Sequence, residues 1–193
     1  MKLIDKLTKP MAYTSTFDLA DLELQLPAKQ LCWEFNQIAP SDNNKKVEVL
    51  TKLFGTYHRM VFVEPTFRCD YGFNIHFHGM ALINYNCVIL DTSPVNIGAG
   101  VFIAPGVCIS CVGHAIHPQQ RVEGVTTSAP ITIEDEVWIG ANATVCAGVT
   151  IGKGSIIGAG SVVTKDIPAG VIAVGSPCKV LRAITEQDRL ELV

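Results

Sequence analysis

Aliphatic residues return at every sixth position along much of this chain. From residue 133 the file runs Ile133, Ile139, Val145, Ile151, Ile157 and Val163 without a break. Its hexads read IEDEVW, IGANAT, VCAGVT, IGKGSI, IGAGSV and VTKDIP, with a small or aliphatic residue again in fifth place. Upstream, Ile97, Ile103 and Ile109 keep the step, and the 24 residues from Ile109 to Ile133 are a multiple of it. Phe77, Ile83 and Ile89 keep it too, before a slip of eight to Ile97. A period of six belongs neither to a helix nor to an alternating strand. It is the period of a parallel β-helix, in which each hexad supplies a short strand and a corner and three hexads close a triangular coil. The file residue points into the prism and stacks on its counterpart one coil away, roughly 4.8 Å distant.

Two stretches break the period. Residues 111–130, CVGHAIHPQQRVEGVTTSAP, are polar and Pro-bounded and carry no sixth-residue file, so they read as a loop extruded from the β-helix with register kept on either side. Long loops on repeat scaffolds commonly carry function. In residues 1–60, Val47, Leu50, Leu53, Phe54 and Tyr57 recur at helical spacing after Ser41, an expected N-cap, and Gly55 is expected to help end that helix. Leu19, Leu22, Leu26, Leu31, Cys32 and Phe35 suggest a second, less regular helix. The expected organisation is a helical cap over 1–60, the β-helix over 61–184 and a short helix or tail over 185–193, where Thr185-x-x-Asp188 resembles a capping box. The cap would cover strand edges that the open end of the prism exposes.

Composition narrows the function. With 193 residues, 48% hydrophobic and 17% charged, the chain has one domain's length and material for a core, which excludes a disordered tail. The formal charge of -3, with no block of like charges, argues against nucleic acid as a partner. Seven scattered cysteines, an odd number, fit a reducing cytoplasm better than a disulfide framework. The opening MKLIDKLTKP lacks the apolar core of a signal peptide, and no run approaches the ~20 apolar residues of a membrane span.

Five histidines are the first candidates for chemistry. His114 and His117, in VGHAIHP of the extruded loop, are not required for coil packing. A neutral imidazole is the usual base for taking a proton from a hydroxyl, and the glycine before His114 permits close approach. His76 and His78 alternate along IHFH, so they face one side of a strand, but no third metal ligand follows by spacing. Cys108-x-x-Cys111 lacks a second pair and is weak evidence for zinc. There is no G-x-S-x-G elbow and no G-x-G-x-x-G between strand and helix.

The run ITIEDEVWIGANATVCAGVTIGKGSIIGAGSVVTKDIPAGVIAVGSPCKVLR, with NIGAGVFIAPGVCISCVGHAIHP and WEFNQ before it, strongly resembles the hexapeptide-repeat acetyltransferases of the maltose and galactoside O-acetyltransferase group. The resemblance covers nearly the whole chain from about residue 30. It implies a mainly β, left-handed parallel β-helix, a homotrimer, acetyl-CoA as donor with no metal, a hydroxyl acceptor of sugar type, and active sites between neighbouring prisms. Winding in that sense is an exception to the usual handedness of crossovers and is inferred from the family alone. In the same terms His114 matches the catalytic histidine and Ala141 supplies a backbone N–H to the oxyanion. Asn84 matches an acceptor contact, or is a turn asparagine at a coil corner. Ala159, Thr164, Lys165, Lys179 and Arg182 match the pantetheine channel and the approach to the CoA phosphates. Trp138 is expected beside the acceptor, beside the pantetheine arm or at the subunit interface.

Departures from that pattern bear on the acceptor. Asp18 or Asp21 is available where the family carries an acidic residue near the N-terminus, but Gln25 stands near an arginine's place. Leu82 replaces an aromatic before the asparagine, and Asp91 is followed by Thr92 where a second acid can occur. Apolar replacements cost a polar site much of its discrimination. Two other reactions stay open at this stage: N-acetyl transfer to an amino sugar, and a zinc lyase of the γ-carbonic anhydrase type, which uses three histidines from adjacent subunits and for which His76, His78, His114 and His117 are the candidates.

Overall fold

The structure, a computed structural model, describes residues 3–8, 13–15 and 19–191. Strands of two to four residues, each carrying a file residue, wind into a parallel β-helix with three faces. On the first face Val63, Ile83, Ile103, Ile139, Ile157 and Ala173 stand in register. On the second, Cys69, Ile89, Ile109, Val145 and Val163 do so. On the third, Phe77, Ile97, Ile133 and Ile151 are continued by a bridge to Ile167. All of these residues are buried, so the six-residue file is the core itself. Coils stack so closely that a Cβ on Gly140 would stand 2.6 Å from the Ala159 nitrogen of the next coil, which is why glycine follows the file residue there.

The slip of eight has a structural address. Cys69 to Phe77 and Ile89 to Ile97 both cross the corner between second and third faces, and each crossing is two residues longer than a hexad. In the following coil that same corner opens into residues 111–130. These do not form an irregular loop. Val112–His114 and Thr126–Ser128 pair antiparallel, Tyr13–Ser15 adds on the other side of Thr126–Ser128, and a short helix, Pro118–Val122, closes the tip. The arm is rooted by hydroxyls: buried Ser128 Oγ lies 2.6 Å from Thr92 Oγ1 and 2.7 Å from Ser93 Oγ.

The α-helices among the described residues are α1 (Leu3–Leu7), α2 (Leu19–Gln37), α3 (Asn43–Leu53) and α4, the arm's Pro118–Val122. Ala28, Cys32 and Phe35 of α2 and Val49, Leu50 and Leu53 of α3 belong to the same core as the coils. Phe54 meets Phe67 and Phe77 edge-on at ring centroid distances of 5.6 and 5.1 Å. Asn36 imitates a strand, since its Nδ2 donates to Phe67 O and its Oδ1 accepts from Phe67 N, both at 2.9 Å. That satisfies backbone the first coil would leave bare. The N-cap of α3 is Asp42 rather than Ser41, its Oδ1 accepting from Lys45 N at 3.0 Å. Gly55 does not cap this helix, which ends on extended Phe54; a Cβ there would run into the Phe73 carbonyl.

At the other end Lys179–Ala183 folds back antiparallel on Val171–Val174, so the last strand closes the first face instead of adding a coil. Glu186–Asp188 forms one turn of 3-10 helix, with Thr185 N donating to Asp188 Oδ2 at 2.8 Å. No helix among the described residues is long and apolar enough to cross a membrane.

Candidate active site

His114 ends the first strand of the arm, opposite Thr126, and its imidazole is exposed. Gly113 before it lies against Thr127, whose Oγ1 would be 2.9 Å from an added Cβ. The turn after His114 is tied by Arg121, whose Nη1 donates to Ala115 O and to Ile116 O at 3.1 Å each. Sequence reasoning passed over Arg121; its signal is that it is the one cation in residues 111–130. His117 precedes α4 with its side chain exposed and making no capping bond.

The other expected site residues divide between two edges of the prism. Asn84, Ala141 and Ala159 lie along the corner between first and second faces, stepped by the bonds Asn84 N to Ile103 O, Gly140 N to Ile157 O and Gly160 N to Ala141 O. Asn84 Oδ1 accepts from Tyr85 N at 2.8 Å, a turn bond that leaves its amide hydrogens for another partner. Thr164 and Lys165 lie exposed on the next corner, the one whose third-coil opening emits the arm. Face two separates the two groups within a protomer.

Lys179 and Arg182 belong to the closing strand at the end of the first face, both exposed. Arg182 is already engaged, its Nη1 and Nη2 donating to Asp188 oxygens at 2.8 and 2.6 Å. The guanidinium holds the Asp188 carboxyl well below the usual carboxylate range. Leu82 and Trp138 stand on the outside of the first face, in a ladder running Phe62, Leu82, Phe102, Trp138 and Ile156. Phe62, Phe102 and Trp138 remain 58%, 46% and 51% exposed, so this is an apolar stripe open to a partner. The sequence signal is the position one before each file residue, which is aromatic or aliphatic on this face and His76, Asn96, Thr132 and Thr150 on the third.

Two acceptor candidates fare differently. Asp18 lies outside the described residues. Asp91 is fully buried, and its carboxylate accepts from Asp70 N at 3.0 Å, Tyr71 N at 2.8 Å and Asn74 N at 3.3 Å. The side chain is thus spent on the long corner between second and third faces, and Asp91 is reassigned from acceptor contact to corner staple. Of the remaining histidines, His76 Nδ1 is 3.1 Å from Thr56 Oγ1 and His78 Nε2 is 3.1 Å from Asn96 Oδ1. Among the described residues no three His, Cys, Asp or Glu side chains come together as a metal site.

Fold and arm define a parallel β-helix protein whose antiparallel arm, emitted at the corner between second and third faces, presents the exposed His114. The model of the bacterial transferase hexapeptide, six repeats, matches residues 130–165, and that of the maltose acetyltransferase hexapeptide capping motif matches residues 11–58. The chain is 44% identical to the galactoside O-acetyltransferase of Escherichia coli K12 over 167 residues, 86% of this chain and 82% of that one. A solved galactoside acetyltransferase in complex with coenzyme A superposes with a TM-score of 0.90 at 39% identity, covering 97% of this chain and 94% of the other. A hexapeptide-repeat acetyltransferase of Vibrio cholerae in complex with acetyl-coenzyme A does so at 0.87 and 34%, covering 96% and 100%. This chain belongs to the hexapeptide-repeat acetyltransferases that carry the maltose acetyltransferase capping motif.

Proposed function

We propose that this acyltransferase moves the acetyl group of acetyl-CoA to a hydroxyl of a sugar or sugar-like acceptor, with His114 as general base, in the cytoplasm and as a homotrimer. The imidazole takes the hydroxyl proton as that oxygen attacks the thioester carbonyl. The Ala141 N–H is the proposed donor to the tetrahedral oxyanion, and the imidazolium returns its proton to the departing CoA thiolate. Thr164, Lys165 and Lys179, exposed near the last coils, would serve the polar arm and phosphates of CoA. Arg182 would have to share or leave Asp188 to join them.

The observation that carries this reading is the exposed imidazole of His114 on an arm rooted in the coils of a chain of this family. The division of the other residues between two edges supports a trimer, since a neighbouring prism can bring the missing edge to the arm. The exposed stripe of Phe62, Phe102 and Trp138 supports it further.

Release of CoA thiol from acetyl-CoA, measured on metal-stripped protein over a panel of hydroxyl and amino sugars, tests the proposal. Acceptor-dependent release, lowered about 10²- to 10⁴-fold in His114→Ala, is expected. Release that survives the substitution removes His114 from the role of base. A preference for the amino group over hydroxyls would replace O-transfer with N-transfer.

A further inference from the structure

Two of the seven cysteines have their sulfurs in contact. Cys32 projects from α2 into the core and Cys69 is the file residue of the second face in the first coil. Their Sγ atoms are 3.6 Å apart, and either thiol can donate to the other. They are 2% and 7% exposed, beneath a cleft of about 470 Å³ that they share with Lys29, Arg68 and Asp70. A disulfide needs sulfurs about 2 Å apart, so the pair is within about 1.5 Å of bonding distance. The bond would join residues 37 apart in sequence, one on the helical cap and one on the prism.

The two sulfurs are also unequal. The hydrogen bond from Cys69 holds the Cys32 thiol below its ordinary value against the opposing effect of burial, while that bond and burial push Cys69 well up. The shared hydrogen bond lets the proton of one thiol steady the thiolate of the other, as between an attacking and a resolving thiol. Elsewhere burial alone dominates: it pushes Cys111 up to about 12, and it raises Cys87 and Cys108.

We propose that Cys32 and Cys69 form a reversible disulfide that fastens α2 to the first coil when the protein meets hydrogen peroxide. The Cys32 thiolate attacks one peroxide oxygen, forming an S–O bond as the O–O bond breaks, and the departing oxygen leaves as water after taking a proton. Cys69 then loses its proton and attacks the Cys32 sulfur, the S–S bond forms, and the second oxygen departs as water. Two thiols are oxidised by two electrons in all, and one peroxide is reduced to two waters. In a reducing compartment such a bond is transient, as suits a sensor. The fastened helix follows the strand Tyr13–Ser15, which pairs with the arm strand next to that of His114, so the lock acts on the segment that reaches the arm.

The test is brief treatment of the full-length protein with hydrogen peroxide, alkylation of remaining thiols, and peptide mapping without reduction. The expected result is a peptide pair joined at Cys32 and Cys69, dissolved by dithiothreitol, with a rise in Tm on the order of 5 °C that Cys69→Ser lacks. Recovery of both residues alkylated after other cysteines have reacted would overturn the proposal. So would Cys32 oxidised to sulfinic acid without a link, or either sulfur linked to another cysteine or to a second chain. Should Cys69→Ser fail to fold, the map of the unaltered protein decides alone.

Discussion

A carboxylate shut away from water must take its hydrogen bonds from the backbone, and Asp91 takes three. Burial pushes its carboxyl from 3.8 up to about 7, while the amides of Tyr71 and Asn74 pull the other way. Because the folded value lies above the unfolded one, the group's favourable contribution is complete below about 3.8 and is lost as pH rises through about 7. Urea unfolding of the wild type is therefore expected to show stability falling between those limits, and Asp91→Asn to make that fall shallower. The variant should also start lower by about 1–3 kcal/mol, since its amide nitrogen would meet the Asn74 N–H where an acceptor stood. An unchanged pH profile would show that Asp91 keeps an ordinary ionisation. In the sequence this residue stands among the departures that bear on the acceptor, followed by Thr92 where the family can carry a second acid. What decides its role is the two-residue excess of the corner it ties; the spacing shows the excess as the slip of eight before Ile97, but the corner it belongs to emerges only once the three faces are told apart.

The arm shows how far element structure can be read from period alone. The loss of the six-residue file at Cys111 marks where the chain leaves the prism, and its return at Ile133 marks re-entry. What lies between is regular structure too short to carry a period, two three-residue strands and a five-residue helix. Its anchorage is a contact across 36 residues, Ser128 to Thr92, which no local pattern announces. The helix α3 was legible from Val47, Leu50 and Leu53, whereas its cap moved by one residue to Asp42 because cap geometry is set by the chain's entry, not by residue type. Removing the anchor tests the arm as a unit. Ser128→Ala leaves the hydroxyls of Thr92 and Ser93 buried without that partner, and amide exchange over 112–114 and 126–128 should quicken roughly tenfold or more while the coil amides keep their protection. Equal acceleration in the coils would mean that the arm and prism open together.

At the scale of the molecule, the hexad pattern fixes everything that points inward and little that points outward. Inward residues obey one rule on all three faces, so Ile83, Ile109 and Ile133 were readable as core. Outward residues serve different neighbours on each face, and only their separation into three files exposes the stripe of Phe62, Phe102 and Trp138. A stripe of this kind on one face, with the expected acetyl-transfer residues split between two edges, makes activity and assembly inseparable in the proposed trimer. Phe102→Glu puts a charge on the stripe, opposite Leu82 and Trp138, without touching the core. Light scattering should then find a species of 20.8 kDa in place of one three times as heavy, with acetyl transfer lost in the same fractions although His114 and its arm are unaltered. A monomer that retained full transfer would place the whole site within one prism, and an intact trimer would move the contact to another face.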